Sequence, residues 1–196
     1  MNTTIEKSLK NAISYPEYRT LVSDLLAKNK STSEQDSEDL INYSKLNNSR
    51  MKRLDKTTKL NESVISKFEK VDKKQTWLVI SEGWCGDAAQ NLPLINKLAE
   101  TSENIDLKIV LRDENLELMS QFLTNGGQAI PKLIQLDNET NEVINTWGPR
   151  PSFATKMVVD YKKEHGKVDS EFKKGLQIWY NKNKGESLIK DFESFI

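Results

Sequence analysis

The chain has 196 residues, enough for a buried core, and its 29 basic and 29 acidic side chains cancel, so bulk charge proposes neither nucleic acid nor a membrane surface as partner. No stretch approaches the length of a membrane span, and Met1-Asn-Thr-Thr-Ile-Glu-Lys7 lacks an apolar signal core. A single cysteine, Cys85, excludes an intramolecular disulfide and fits a reducing cytoplasm, the expected location.

In chain order, residues 4–13 and 15–29 read as helices. The second has Pro16 in its first turn and Tyr18, Leu21, Val22, Leu25 and Leu26 on one stripe. A polar loop, residues 31–38, leads to a long polar helical region with Leu40, Tyr43, Met51 and Leu54 loosely spaced. Leu60, Val64, Ile65, Phe68 and Val71 then mark a firmer helix. The Arg50-Met-Lys-Arg53 cluster reads as a solvated helix face, with an anion or partner site as the alternative. From Val71 the pattern turns to β/α: strand 76–82, helix 85–101, strand 106–111, and helix 114–124. Asp113 is the expected cap of that last helix, with Leu116, Met119, Phe122 and Leu123 inward. Asn125-Gly126-Gly127 stops it, and strands 131–137 and 142–147 form a hairpin. Helices carrying Phe153, Met157, Val158 and Tyr161, and later Leu188, Ile189, Phe192 and Phe195, complete the chain, with Phe172, Leu176, Trp179 and Tyr180 between them.

The chemistry concentrates where the apolar strand Trp77–Ile80 turns at Gly83 into a helix beginning at Cys85. A sulfur at a helix start meets unpaired backbone N–H groups and the positive end of the helix dipole, which favours thiolate over thiol. Trp84-Cys85-Gly86 at this turn, Pro93 eight residues after the cysteine, Ile130-Pro131, and Gly148 at the end of the next strand together resemble the thioredoxin family, from Val71 to about Arg150. The resemblance implies a thioredoxin-like mixed α/β sheet flanked by helices over 71–165, and the helical patterns outside it read as N- and C-terminal extensions, 1–70 packed on the core and 166–196. The resemblance also implies a cis proline at Pro131 facing Cys85, a surface indole at Trp84, and at Gly148 a glycine that admits a substrate backbone.

The departures matter as much. Asp87 stands where the family has proline and Ala88 where it has its second cysteine, so a dithiol cycle within the motif is impossible. The family's buried acid has no counterpart six residues before Cys85, where Val79 stands; Glu82 is nearer and a candidate to substitute, though a loop carboxylate is ordinarily solvated. Arg112 follows the second strand and Arg150 the last, and either, with the helix N-terminus, is a candidate to offset Asp87; the plainer alternatives pair Arg112 with a neighbouring acid and use Arg150 to anchor the next helix. Asp87 itself suits a first helical turn. Cys85 and His165 are the only residues of their kinds, so no metal centre is expected, and no cofactor.

The expected function is that of a monothiol thiol–disulfide oxidoreductase. Cys85 is its nucleophile, and Trp84, Gly86, Asp87, Ile130, Pro131, Gly148, Arg150 and Arg112 bind a protein or low-molecular-weight thiol or disulfide. The alternatives are a non-catalytic thioredoxin-fold module that binds a protein or peptide, and a cysteine sensor capped by a small thiol.

Overall fold

A computed structural model describes residues 3–35 and 37–196. The chain forms two compact units, one running to Pro149 and the other from Arg150 to Ile196. The first opens with helices α1 (Thr3–Lys10), α2 (Tyr15–Ala27), α3 (Glu38–Thr57) and α4 (Glu62–Phe68). Then come β1 (Gln75–Ser81), α5 (Gly86–Ala99), β2 (Ile105–Leu111), α6 (Leu116–Gln121), β3 (Lys132–Asp137) and β4 (Val143–Trp147).

Local chemistry sets these boundaries. Ser14 and Glu17 form a reciprocal capping box at the start of α2, with Pro16 inside the first turn. Asn61 caps α4 by accepting from Val64 N at 2.8 Å. The sheet has strand order β2-β1-β3-β4, with β1 and β2 parallel and β3 antiparallel to both β1 and β4. Every residue of the apolar strand β1 is buried, as a central strand covered on both faces requires. The outer side of β2 is occupied at one point, where Ile13 and Ile109 exchange backbone hydrogen bonds of 2.9 and 2.7 Å. Trp77 meets Phe68 of α4 edge-on, with centroids 6.3 Å apart. Leu92, Ile95 and Leu98 of α5 are fully buried, each contributing about 1.5–3 kcal/mol of transfer free energy.

The helices bury faces of different character, and the inward face expected of α6 is corrected. On α3 the buried residues are Ile41, Ser44, Asn47 and Met51, while Tyr43 is exposed, because this face packs on α5 and on the turn after β1 and uses polar side chains to do so. On α6 the buried residues are Leu118 and Met119, whereas Leu116 and Leu123 are exposed. The cap of α6 falls at Asn115, since the carboxylate of Asp113 is held by Arg112 and its N–H by Glu82.

The second unit contains α7 (Ser152–His165), α8 (Ser170–Asn183) and α9 (Glu186–Phe192), followed by a 3-10 turn, Glu193–Phe195. Asp169 caps α8 through Phe172 N at 2.8 Å. Ala154 and Val158, with Leu176 and Tyr180, form its core, and Phe153 lies stacked on Trp179 with most of its surface exposed. No helix among the described residues is long and apolar enough to cross a membrane.

Candidate functional site

The end of β1 delivers Glu82-Gly83-Trp84 as a turn, closed by a hydrogen bond from Cys85 N to Glu82 O of 3.1 Å. Cys85 is the N-cap of α5, and its Sγ takes the place of a capping oxygen by accepting from Ala88 N at 3.4 Å. The thiol in turn donates to the Ile130 carbonyl at 3.2 Å, and Cys85 is 8% exposed. The Ile130–Pro131 peptide is cis. Gly148 has φ +118°, and a Cβ there would stand 2.1 Å from the Pro131 carbonyl oxygen, so only glycine lets these two backbone stretches approach. Cys85 and Ile130 are thus joined directly, and Pro131 and Gly148 are pressed together beside them.

The remaining predicted residues fall as follows. Gly86 is the first residue of α5, and Asp87, half-buried in the first turn, accepts from Asn91 Nδ2 at its backbone carbonyl, 2.8 Å. Trp84 is half-buried, and the Arg112 guanidinium lies 4.7 Å above its ring. Arg112 also holds Asp113 Oδ1 from Nε and Nη2 at 2.9 and 2.7 Å, the plainer of the two sequence readings. Arg150 opens the second unit, where its carbonyl accepts from Thr155 Oγ1 at 3.2 Å.

The structure also brings to the turn Thr32 and Asn47, which the sequence does not single out, and Glu82 and Arg50, which it reads as solvated. Glu82 is wholly buried; Thr32 Oγ1 donates to its Oε2 and Asp113 N to its Oε1 at 3.0 Å. Burial pushes the Glu82 carboxyl up to about 7 against the pull of these two donors. Thr32 Oγ1 also accepts from Gly83 N at 3.0 Å, and Asn47 Nδ2 donates to Gly83 O at 3.1 Å. Asn47 Oδ1 accepts from Arg50 Nη1 at 2.6 Å, and Arg50 is within electrostatic reach of Asp87. Asn47 was detectable in principle, since it continues the spacing of Ile41, Ser44 and Met51 on one helical face. Nothing in the polar loop 31–38 marks Thr32.

Tyr18 of α2 lies beneath the same turn. Its hydroxyl is 3.5 Å from Ser81 Oγ, and burial, with Cys85 and Glu82 nearby, pushes its ionisation above the usual range. Lys132, directly after Pro131, is 8% exposed with Nζ 3.5 Å from Thr124 Oγ1, and burial pulls its pKa down. Among the described residues no group of three His, Cys, Asp or Glu side chains is arranged to hold a metal ion.

A four-stranded mixed sheet with a cysteine capping the helix after its first strand, set against a cis-proline loop, defines a thioredoxin-like protein. A family model described as Thioredoxin (Thioredoxin_9) matches residues 33–165, and the chain belongs to that family. The match begins ahead of α3 and so takes in Asn47 and Arg50 along with the sheet. Among solved structures, the chain is similar to a protein of unknown function from Pseudomonas aeruginosa, with 19% identity, TM-score 0.57, and 76% of this chain and 82% of that chain covered. It is also similar to an HIV epitope-scaffold (4E10), with 16% identity, TM-score 0.57, and coverage of 93% and 96%. At these identities the likeness is one of fold. No curated protein matches the chain in sequence.

Proposed function

We propose that the protein is a monothiol thiol–disulfide oxidoreductase. The observation that carries this reading is the setting of Cys85 Sγ: at the N-terminus of α5, in hydrogen-bond contact with Ala88 N, and facing the Ile130 carbonyl beside Pro131 and Gly148. Deprotonated, the sulfur keeps the Ala88 N–H as donor and releases Ile130 O, whose carbonyl then becomes available to an extended substrate.

The thiolate attacks one sulfur of a mixed disulfide, forming a disulfide to Cys85 and expelling the other sulfur as thiolate. A second, external thiolate then attacks the substrate sulfur of that intermediate, forming a new mixed disulfide and returning Cys85 as thiolate. Electrons balance without a change in the protein's own redox state. Ala88 stands where an internal resolving thiol would be, so the external thiol is obligatory. Trp84, Gly86, Asp87, Ile130, Pro131 and Gly148 are the residues assigned to substrate contact, with Arg112 acting through Trp84. The cytoplasm is the compartment that supplies such thiols in quantity.

The test is turnover of a glutathionylated peptide with glutathione in excess. Wild-type protein is expected to accelerate release of the peptide thiol, and Cys85→Ser to abolish the acceleration. A wild-type rate no faster than uncatalysed exchange refutes the reading. The 8% exposure of Cys85 favours a second reading, a thioredoxin-fold binding module, under which Cys85→Ser leaves partner binding intact.

A further inference from the structure

The turn that presents Cys85 is held from outside the βα unit. Both polar groups of the Gly83 backbone are engaged by side chains that precede β1: the N–H by Thr32 and the carbonyl by Asn47. Asn47 is 1% exposed, and its amide is used at both ends, Nδ2 to Gly83 O and Oδ1 to Arg50 Nη1. That pairing fixes the amide's orientation, because only Nδ2 donates to a carbonyl and only Oδ1 accepts from a guanidinium. Aspartate lacks the donor and leucine lacks both groups.

Arg50 is thereby tied to the turn through one side chain. It is half-buried, and loss of water together with Arg53 on the same helix pulls its pKa down, while Asp87 pushes it up; arginine remains cationic throughout. A cation deprived of water is tolerated near an anion, and Asp87, two residues after Cys85 on the helix against which α3 packs, is within its electrostatic reach. Arg112, a candidate for this role on sequence grounds, is held by Asp113 and lies over Trp84.

We propose that Asn47 and Arg50 of α3 are positioning residues of the Cys85 site, Asn47 fixing the Gly83 carbonyl and Arg50 supplying the positive charge that offsets Asp87 beside the sulfur. The inference rests on the reading of Cys85 as a thiolate nucleophile. Among the described residues, other charged or titratable groups around the turn include Arg53 on α3, Glu82 at the end of β1, Tyr18 on α2, and the Arg112–Asp113 pair after β2. Arg50 is distinguished among these by its hydrogen bond to Asn47, which ties its charge to the turn, in a chain whose motif has an acid where its family has proline.

The experiment is the pH dependence of Cys85 alkylation by iodoacetamide in the full chain. Arg50→Met keeps the stem and removes the charge; it is expected to raise the half-point by about 0.5–1 pH unit, slowing alkylation near neutral pH roughly three- to tenfold. Arg50→Lys, which keeps the charge, is expected to restore most of the wild-type profile. Should Arg50→Met fail to fold, Arg50→Gln retains a donor for Asn47 Oδ1 and reads the charge alone. A folded neutral variant whose half-point matches wild type overturns the proposal. A half-point that follows the Arg50 charge in a protein with no disulfide turnover supports this inference and refutes the proposed activity; turnover with an unmoved half-point does the reverse.

Discussion

Gly148→Ala probes the approach of two backbone stretches that shapes the surroundings of Cys85. At φ +118° any L side chain is strained, which costs about 1–3 kcal/mol. The new methyl would also stand 2.1 Å from the Pro131 carbonyl oxygen and 3.3 Å from Lys132 Cα. These are backbone atoms, so relief requires moving β3 or the loop before it, a further cost of about 1–3 kcal/mol. The expected loss is about 4 kcal/mol, a large share of the 5–15 kcal/mol margin of an ordinary domain. Gly126→Ala is the control: φ is +76° there, but nothing lies within 4 Å of the added carbon, so strain alone operates, at about 1–2 kcal/mol. Urea unfolding of both variants gives the comparison, and alkylation of Cys85 in the folded proteins shows whether the sulfur's surroundings have shifted. Equal destabilisation by the two substitutions would refute the argument from close approach.

Three further outcomes follow from the polar network at the turn and from the sulfur. Glu82 keeps its proton in the folded chain up to about pH 7, whereas the ordinary value is 4.5, so the folded state binds more protons between those limits and stability falls as pH rises through them, by about 3 kcal/mol in full. Glu82→Gln is expected to flatten that slope, and unfolding free energies of both proteins at pH 5 and pH 8 will show it; parallel slopes would count against a proton held at Glu82. Thr32→Val preserves shape but strips a partner from both Gly83 N and the Glu82 carboxyl, and is expected to cost about 2–4 kcal/mol in thermal or urea unfolding, with Thr32→Ser recovering most of it. Cys85→Ser is expected to leave unfolding nearly unchanged, since a hydroxyl caps a helix as well as a thiol does, while abolishing disulfide exchange.

Much of this protein is determined by local sequence. The apolar run from Trp77, the capping pair Ser14 and Glu17, and the turn residues near 125 each act within a few positions, and they define the strands and helices to within a residue or two at most boundaries. The Trp84-Cys85-Gly86 turn followed by a helix likewise needs only its neighbours to place the sulfur at a helix N-terminus. The tertiary structure alone decided which polar side chains hold that turn and how tightly its neighbours pack. Glu82 is buried because α2, the loop after it and Asp113 close over the turn. Asn47 and Arg50 act on residues about 36 positions away, and Gly148 is constrained by Pro131 across the sheet. A helix or strand is specified by periodicity and caps, which are local in sequence. Desolvation, and the pairing of a buried donor with its acceptor, depend on which distant segments meet.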